Sequence, residues 1–117
     1  MTLEARIRSA LAALTGDRVF PLVAPADTAR PYVVLTGAGL TPSSYTLARV
    51  GNTDRRLMQI DVYSDADAGF DAHDSLAHAV RRALEDIGGR VSSGGHDYES
   101  AARLYRARLD LNFWHRQ

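Results

Sequence analysis

The stretch Arg55-Arg56-Leu57-Met58-Gln59-Ile60-Asp61-Val62-Tyr63-Ser64 decides the fold. Met58, Ile60 and Val62 recur at every second residue, with Leu57, Gln59, Asp61 and Tyr63 between them. A period of two puts these sets on opposite faces of a strand, one apolar and one mostly polar. A sheet built around such a strand has one face to bury, and other elements must cover it.

The closing segment offers a partner strand. Tyr105, Ala107, Leu109, Leu111 and Phe113 alternate with Arg106, Arg108, Asp110 and Asn112, which is a long amphipathic strand. Tyr32-Val33-Val34-Leu35-Thr36 is aromatic, β-branched and apolar throughout, and reads as a strand buried on both faces. Before it, Val19-Phe20-Pro21-Leu22-Val23 is a short extended piece broken by proline, and residues 24–31 are a loop. Arg90 to Ser93 is a weak strand, followed by Gly94-Gly95-His96-Asp97 as a turn or loop.

Two helices supply the cover. Leu3, Ile7, Leu11 and Leu14 form one stripe, with Thr2 as N-cap, Glu4 near the positive end and Gly16 as the stop. Asp65 to Ile87 is the second helix, with a stripe of Leu76, Val80, Ala83, Leu84 and Ile87 that Phe70 or Ala72 extends. Its aspartates crowd the N-terminal half and Gly88-Gly89 ends it. The expectation is an α+β fold. A mainly antiparallel β-sheet carries two α-helices packed on one face, in the order α-β-β-α-β-β, as a single domain over residues 1–117. Residues 37–54, rich in Gly, Ser and Thr, are either a long functional loop or an extension of the flanking strands into a hairpin.

Composition narrows the chemistry. The 117 residues are 45% hydrophobic and 24% charged, within the range of globular domains, which excludes disorder as the dominant state. No apolar run approaches a membrane span, and the N-terminal segment lacks the apolar stretch of a secretory signal. Cysteine is absent, so disulfides, thiolate metal sites and thiol nucleophiles are excluded. Formal charge is zero, which gives no strong global pull on nucleic acid or anionic lipid. All 14 basic residues are arginine. A Walker lysine and a Schiff-base lysine are therefore ruled out.

Few residues form a chemical constellation. His73 and His78 are five apart, on different faces of one helix, so a metal or general-base site requires one of them to meet His96 in space. Otherwise the histidines are exposed, with Asp74 and His78 as an i,i+4 pair. The aspartates after Ser64 resemble a calcium loop, but Gly69, Phe70 and Leu76 occupy the decisive positions and the motif fails. Gly37-Ala38-Gly39 lacks the third glycine and the helix of a dinucleotide loop. Arg49, Arg55 and Arg56 close the long 37–54 segment, and Arg106 and Arg108 lie on the polar side of the last strand. If the two amphipathic strands pair, Asp61 and Asp110 sit among these arginines. That face is then a solvated charge ladder, an interface with another subunit, or, with less support from the charge balance, a nucleic-acid contact.

Several segments together carry a resemblance. Val19-Phe20-Pro21, Pro31-Tyr32-Val33-Val34, Gln59-Ile60-Asp61-Val62-Tyr63, Ala83-Leu84, Asp97-Tyr98-Glu99, Leu104-Tyr105-Arg106 and Asp110-Leu111-Asn112-Phe113-Trp114 stand in the order and spacing of one family. The chain resembles the tail completion, or tail terminator, proteins of long-tailed phages, prophages and gene transfer agents. The resemblance implies a virion protein of the tail or neck, assembled in the host cytoplasm. It implies a ring, six-fold in the family, that caps the tail tube, ends its polymerisation and offers the head-joining surface. The implied partners are further copies of the chain, the major tail tube protein and the head–tail connector. It implies that DNA passes through the ring without specific recognition and that no membrane is a partner. It implies no catalytic residue, cofactor or metal. Arg49, Arg55, Arg56, Arg106 and Arg108 are the expected subunit or tube contacts. The competing readings are a connector stopper or other neck or tube ring component and, from another class, a small metal-dependent hydrolase using His73, His78 and His96.

Overall fold

A computed structural model of the chain describes residues 2–39 and 53–116. Helix α1 spans Leu3–Thr15. Thr2 caps it by accepting the Ala5 N–H at 3.1 Å. Gly16 ends it in the left-handed region (φ 58°), its N–H returning to the Ala12 carbonyl. The chain then forms β1 (Val19–Pro21), β2 (Tyr32–Gly39) and β3 (Thr53–Asp65). Helix α2 (Phe70–Asp86), β4 (Gly89–Glu99) and β5 (Leu104–Arg116) follow.

The strands form one sheet in the order β1-β2-β3-β5-β4. The β3–β5 pairing is the spine, antiparallel and continuous from Thr53↔Arg116 to Asp65↔Leu104. β2 is antiparallel to β3, with Tyr32 opposite Tyr63 and Leu35 opposite Ile60. β4 is antiparallel to β5, and β1 alone runs parallel to its neighbour β2. The fold is the α+β architecture expected, a mostly antiparallel sheet with two helices. The proline-broken piece contributes its first three residues as the additional strand β1. At Leu22 the backbone turns through a positive φ of 65°, so Leu22 and Val23 lie outside the strand.

Both helices pack on one face of the sheet. Leu3, Ile7 and Leu11 of α1 and Ala77, Val80 and Leu84 of α2 form one core with Val33, Leu35, Met58, Ile60, Val62, Ala107, Leu111 and Phe113. Each sheet member of that set belongs to the apolar register of its strand. Burying a side chain of this size contributes about 1.5–3 kcal/mol, and these residues set the fold.

Three local features differ from expectation. The second helix does not begin at Asp65. Asp65 caps a short 3-10 turn, Ala66–Ala68, and Gly69 at φ 90° breaks the chain before α2 starts. Gly94 to Asp97 is no turn but the middle of β4, paired with Leu109 to Arg106 of β5. A Cβ on Gly94 would come within 2.8 Å of the Arg108 carbonyl oxygen, so glycine here serves a close backbone approach rather than a reversal. The reversal lies after Glu99, and Arg103 just before β5 has a φ of 52°. The third difference is His73, which is fully buried because its position on α2 shares the core-facing side with Ala77 and Val80. Of the 37–54 segment, residues 37–39 extend β2 and residues 53–54 begin β3.

Candidate interaction surface

The sheet face away from the helices carries the polar registers of four strands. Its centre is Asp61 on β3, opposite Arg108 of β5 and Val34 of β2. Asp61 is only 4% exposed although neither described helix covers it. The groups that close over it are polar. Arg106 lies diagonally across β5, its Nε and Nη2 each 3.1 Å from Asp61 Oδ1. Gln59 Nε2 donates to Asp61 Oδ2 at 3.0 Å. A buried carboxylate is tolerated when paired and hydrogen-bonded in this way. The same hydrogen bond raises Arg106 above the ordinary guanidinium value, so its charge is permanent.

The ladder continues outward. Arg106 Nη1 lies 3.9 Å from Asp97 on β4. Arg108 Nε is 3.5 Å from Asp110, which also accepts from Ser93 Oγ at 2.6 Å. On the β1 side the face turns aromatic and apolar. The rings of Tyr32 and Tyr63 stack at 4.9 Å, and Phe20 meets Tyr32 edge-on at 6.4 Å. Burial, reinforced by the charge on Asp61, raises the Tyr63 phenol, which keeps it a neutral donor. Leu22 and Val23, each 74% exposed, form the lip of a concavity that also includes Val34, Asp61, Tyr63 and Glu99. The long strand β4 forms one edge of the sheet and the three-residue β1 the other.

The structure places the arginines singled out from sequence differently. Arg106 and Arg108 stand together on this face. Arg56 lies opposite Phe113 in register and pairs with Glu4 of α1 at 2.6 Å, a brace between β3 and α1. Arg55 sits in β3 opposite Trp114, and its side chain lies outside the described residues, as does all of Arg49. The exposed Leu22–Val23 lip is not visible in the sequence, because two apolar residues after a proline read as extended chain and only the positive φ at Leu22 turns them out of the strand. The Tyr32–Tyr63 stack follows from the strand register, which the sequence left open.

The histidines divide. His78 is exposed, 3.8 Å from Asp74. His73 and His96 do meet, Nε2 to Nδ1 at 3.1 Å. Among the described residues no three His, Asp or Glu side chains are arranged to hold a metal ion, and the His73–His96 contact is a hydrogen-bonded imidazole pair.

A search of the curated proteins finds no match. A solved structure described as "Virion of native gene transfer agent (GTA) particle" contains a chain with the same fold, at 26% sequence identity and a TM-score of 0.65. The likeness covers 98% of this chain and 95% of that one. Among the described residues no helix is long and apolar enough to cross a membrane. The family model described as tail completion protein gp17 matches residues 3–116, and the chain therefore belongs to the tail completion protein family, structural components of phage-type tails.

Proposed function

We propose that the chain caps the tail tube as a closed ring of identical subunits, ends tube polymerisation and presents the surface on which the head connector docks. Membership of the tail completion family over residues 3–116 carries this reading. The geometry supports it. The sheet has two unlike edges, the three-residue β1 and the eleven-residue β4, and one face that neither described helix covers. Copies that meet through unlike surfaces make heterologous contacts, which close into rings when the rotation permits. Six subunits, as the family resemblance implies, is the expected number.

Arg106 and Arg108 are the proposed contacts on the bare face, where a neighbour's carboxylates would extend the existing ladder. Arg49, Arg55 and Arg56 are proposed as further subunit or tube contacts, with Arg56 exchanging Glu4 for a neighbour's acidic group. The partners are further copies, the major tail tube protein and the connector, and DNA passes through without sequence-specific contact. No step of this function needs a catalytic group or a cofactor.

The test is deletion of the gene in the element that carries it, with tail lengths measured by electron microscopy. Overlong, variable, headless tails are expected. Headless tails of normal length would point to a stopper or joining role, and absence of any tube to a tube component.

A further inference from the structure

His73 has no solvent exposure and sits where α2 meets β3, β4 and β5. Its Nδ1 lies 2.9 Å from Ser64 Oγ of β3, and its Nε2 lies 3.1 Å from His96 Nδ1 of β4. Tyr105 of β5 stacks on its ring at 5.3 Å, and Phe70 flanks both imidazoles at 5.9 and 5.3 Å. His96 is half-exposed, with Nε2 3.7 Å from Asp74 Oδ1, and the other Asp74 oxygen faces His78 at 3.8 Å. The remaining charged groups nearby are Arg30 and Asp65, in the groove beside Ser64, and Arg81, in the groove beside His96.

Two ring nitrogens 3.1 Å apart share one hydrogen, not two. With both rings neutral, the chain of donors runs one way. Ser64 O–H donates to His73 Nδ1, His73 Nε2–H donates to His96 Nδ1, and His96 Nε2–H faces Asp74. When one proton is added and His96 becomes the cation, its Nδ1 carries a hydrogen and needs an acceptor. His73 supplies one by changing tautomer. Its Nε2 proton passes to His96, and the added proton arrives at His73 Nδ1, which then donates to Ser64 Oγ. The net change is one proton gained, and every hydrogen bond survives with its direction reversed. A second proton puts a hydrogen on both facing nitrogens and two positive charges on adjacent rings, with Asp74 alone to offset them.

We propose that Ser64, His73 and His96 form a proton-counting clamp that holds the edge strand β4 against α2, tolerates one added proton by a tautomer switch, and opens on the second. The part that yields is β4. Helix α2 is anchored in the core through Ala77, Val80 and Leu84, whereas residues 93–99 of β4 are all exposed. The protonation behaviour of His73 agrees. Burial first, then the charge of His96, lower its pKa below the ordinary imidazole value, against the opposing pull of Asp74. The unfolded or opened chain therefore takes up a proton near pH 6.5 that the closed state refuses. Stability contributed by the clamp is present above that pH. It is lost as pH falls from there toward the depressed native value, by up to tenfold in the opening constant per pH unit.

The test is an imidazole nitrogen NMR titration of the whole chain from pH 7.5 to 5, with amide hydrogen exchange followed in parallel. His73 is expected to remain neutral and to swap from Nε2–H to Nδ1–H as the pair takes up its first proton. At lower pH, protection at Gly94 to Asp97, corrected for intrinsic exchange, should fall about tenfold per pH unit before that of β2 and β3. His96→Gln keeps a hydrogen-bonding partner for His73 but cannot become its cationic neighbour, and should shrink this early loss at β4 to the part that burial of His73 alone imposes. The proposal is overturned if His73 holds one tautomer throughout, if β4 opens no earlier than β3, or if His96→Gln opens with the same pH profile. If that variant does not fold, the wild-type titration decides alone.

Discussion

Asp61 is the residue on which the bare face of the sheet depends. It is nearly sealed from water, with Arg106 and Gln59 bonded to its carboxylate and Val34 opposite it on β2. Removing one partner of such a pair leaves an uncompensated buried charge. Arg106→Ala is therefore expected to destabilise the fold by about 2–3 kcal/mol, less than a fully interior pair because the guanidinium is itself partly in water. Pairing it with Asp61→Asn should recover part of that loss, since the amide carries no charge to strand. Denaturant unfolding of the two variants checks both statements. Equal midpoints for Arg106→Ala and the parent chain would mean that water reaches Asp61. At the first turn of α1, Thr2→Ala removes the oxygen that accepts the Ala5 N–H and should cost about 1 kcal/mol.

At the scale of elements, most of the fold was legible because the strands that carry it alternate cleanly. The registers of Met58-Ile60-Val62 and Ala107-Leu109-Leu111 announce both the sheet and its buried side, and the stripe on α1 announces its cover. β4 was half missed because its signal is backbone rather than side chain. Gly94 and Gly95 read as a turn, yet they pair with Leu109 and Arg108. The two glycines make separate predictions. Gly94→Ala drives a Cβ to within 2.8 Å of a backbone oxygen, which no rotamer relieves, and should cost about 1–3 kcal/mol. Gly95→Ala meets nothing within 4 Å and should be neutral or stabilising by a few tenths of a kcal/mol. Thermal unfolding of the pair separates them, and equal losses would contradict the close approach. The site was legible in outline only. Arg106 and Arg108 declare themselves by alternating with an apolar register. The Arg56–Glu4 brace and the His73–His96 contact join residues 52 and 23 positions apart, and such pairings depend on how α1 and α2 sit on the sheet, which no local pattern encodes.

For the whole molecule, the question is which charges serve the fold and which are free for a neighbour. Arg106 is committed to Asp61, so its loss damages the fold and says little about docking. Arg108 is different. Its contact with Asp110 is 3.5 Å long and both side chains are substantially in water, and exposed pairs of this kind contribute about 0–1 kcal/mol. Reversing its charge in Arg108→Glu loses that pair and sets a carboxylate opposite Asp61, and should lower the unfolding free energy by about 1–2 kcal/mol, leaving the chain folded. If the bare face docks a neighbouring subunit or the tube, the same change places a carboxylate where a cation is needed, and like charges across an interface oppose association. The expected result is a folded chain that fails to complement a deletion, with overlong or headless tails in electron micrographs. Normal tails from Arg108→Glu would remove this part of the face from the docking surface. Contacts would then fall to the β4 edge and the Leu22–Val23 lip, where a charge placed at Val23 is the corresponding test.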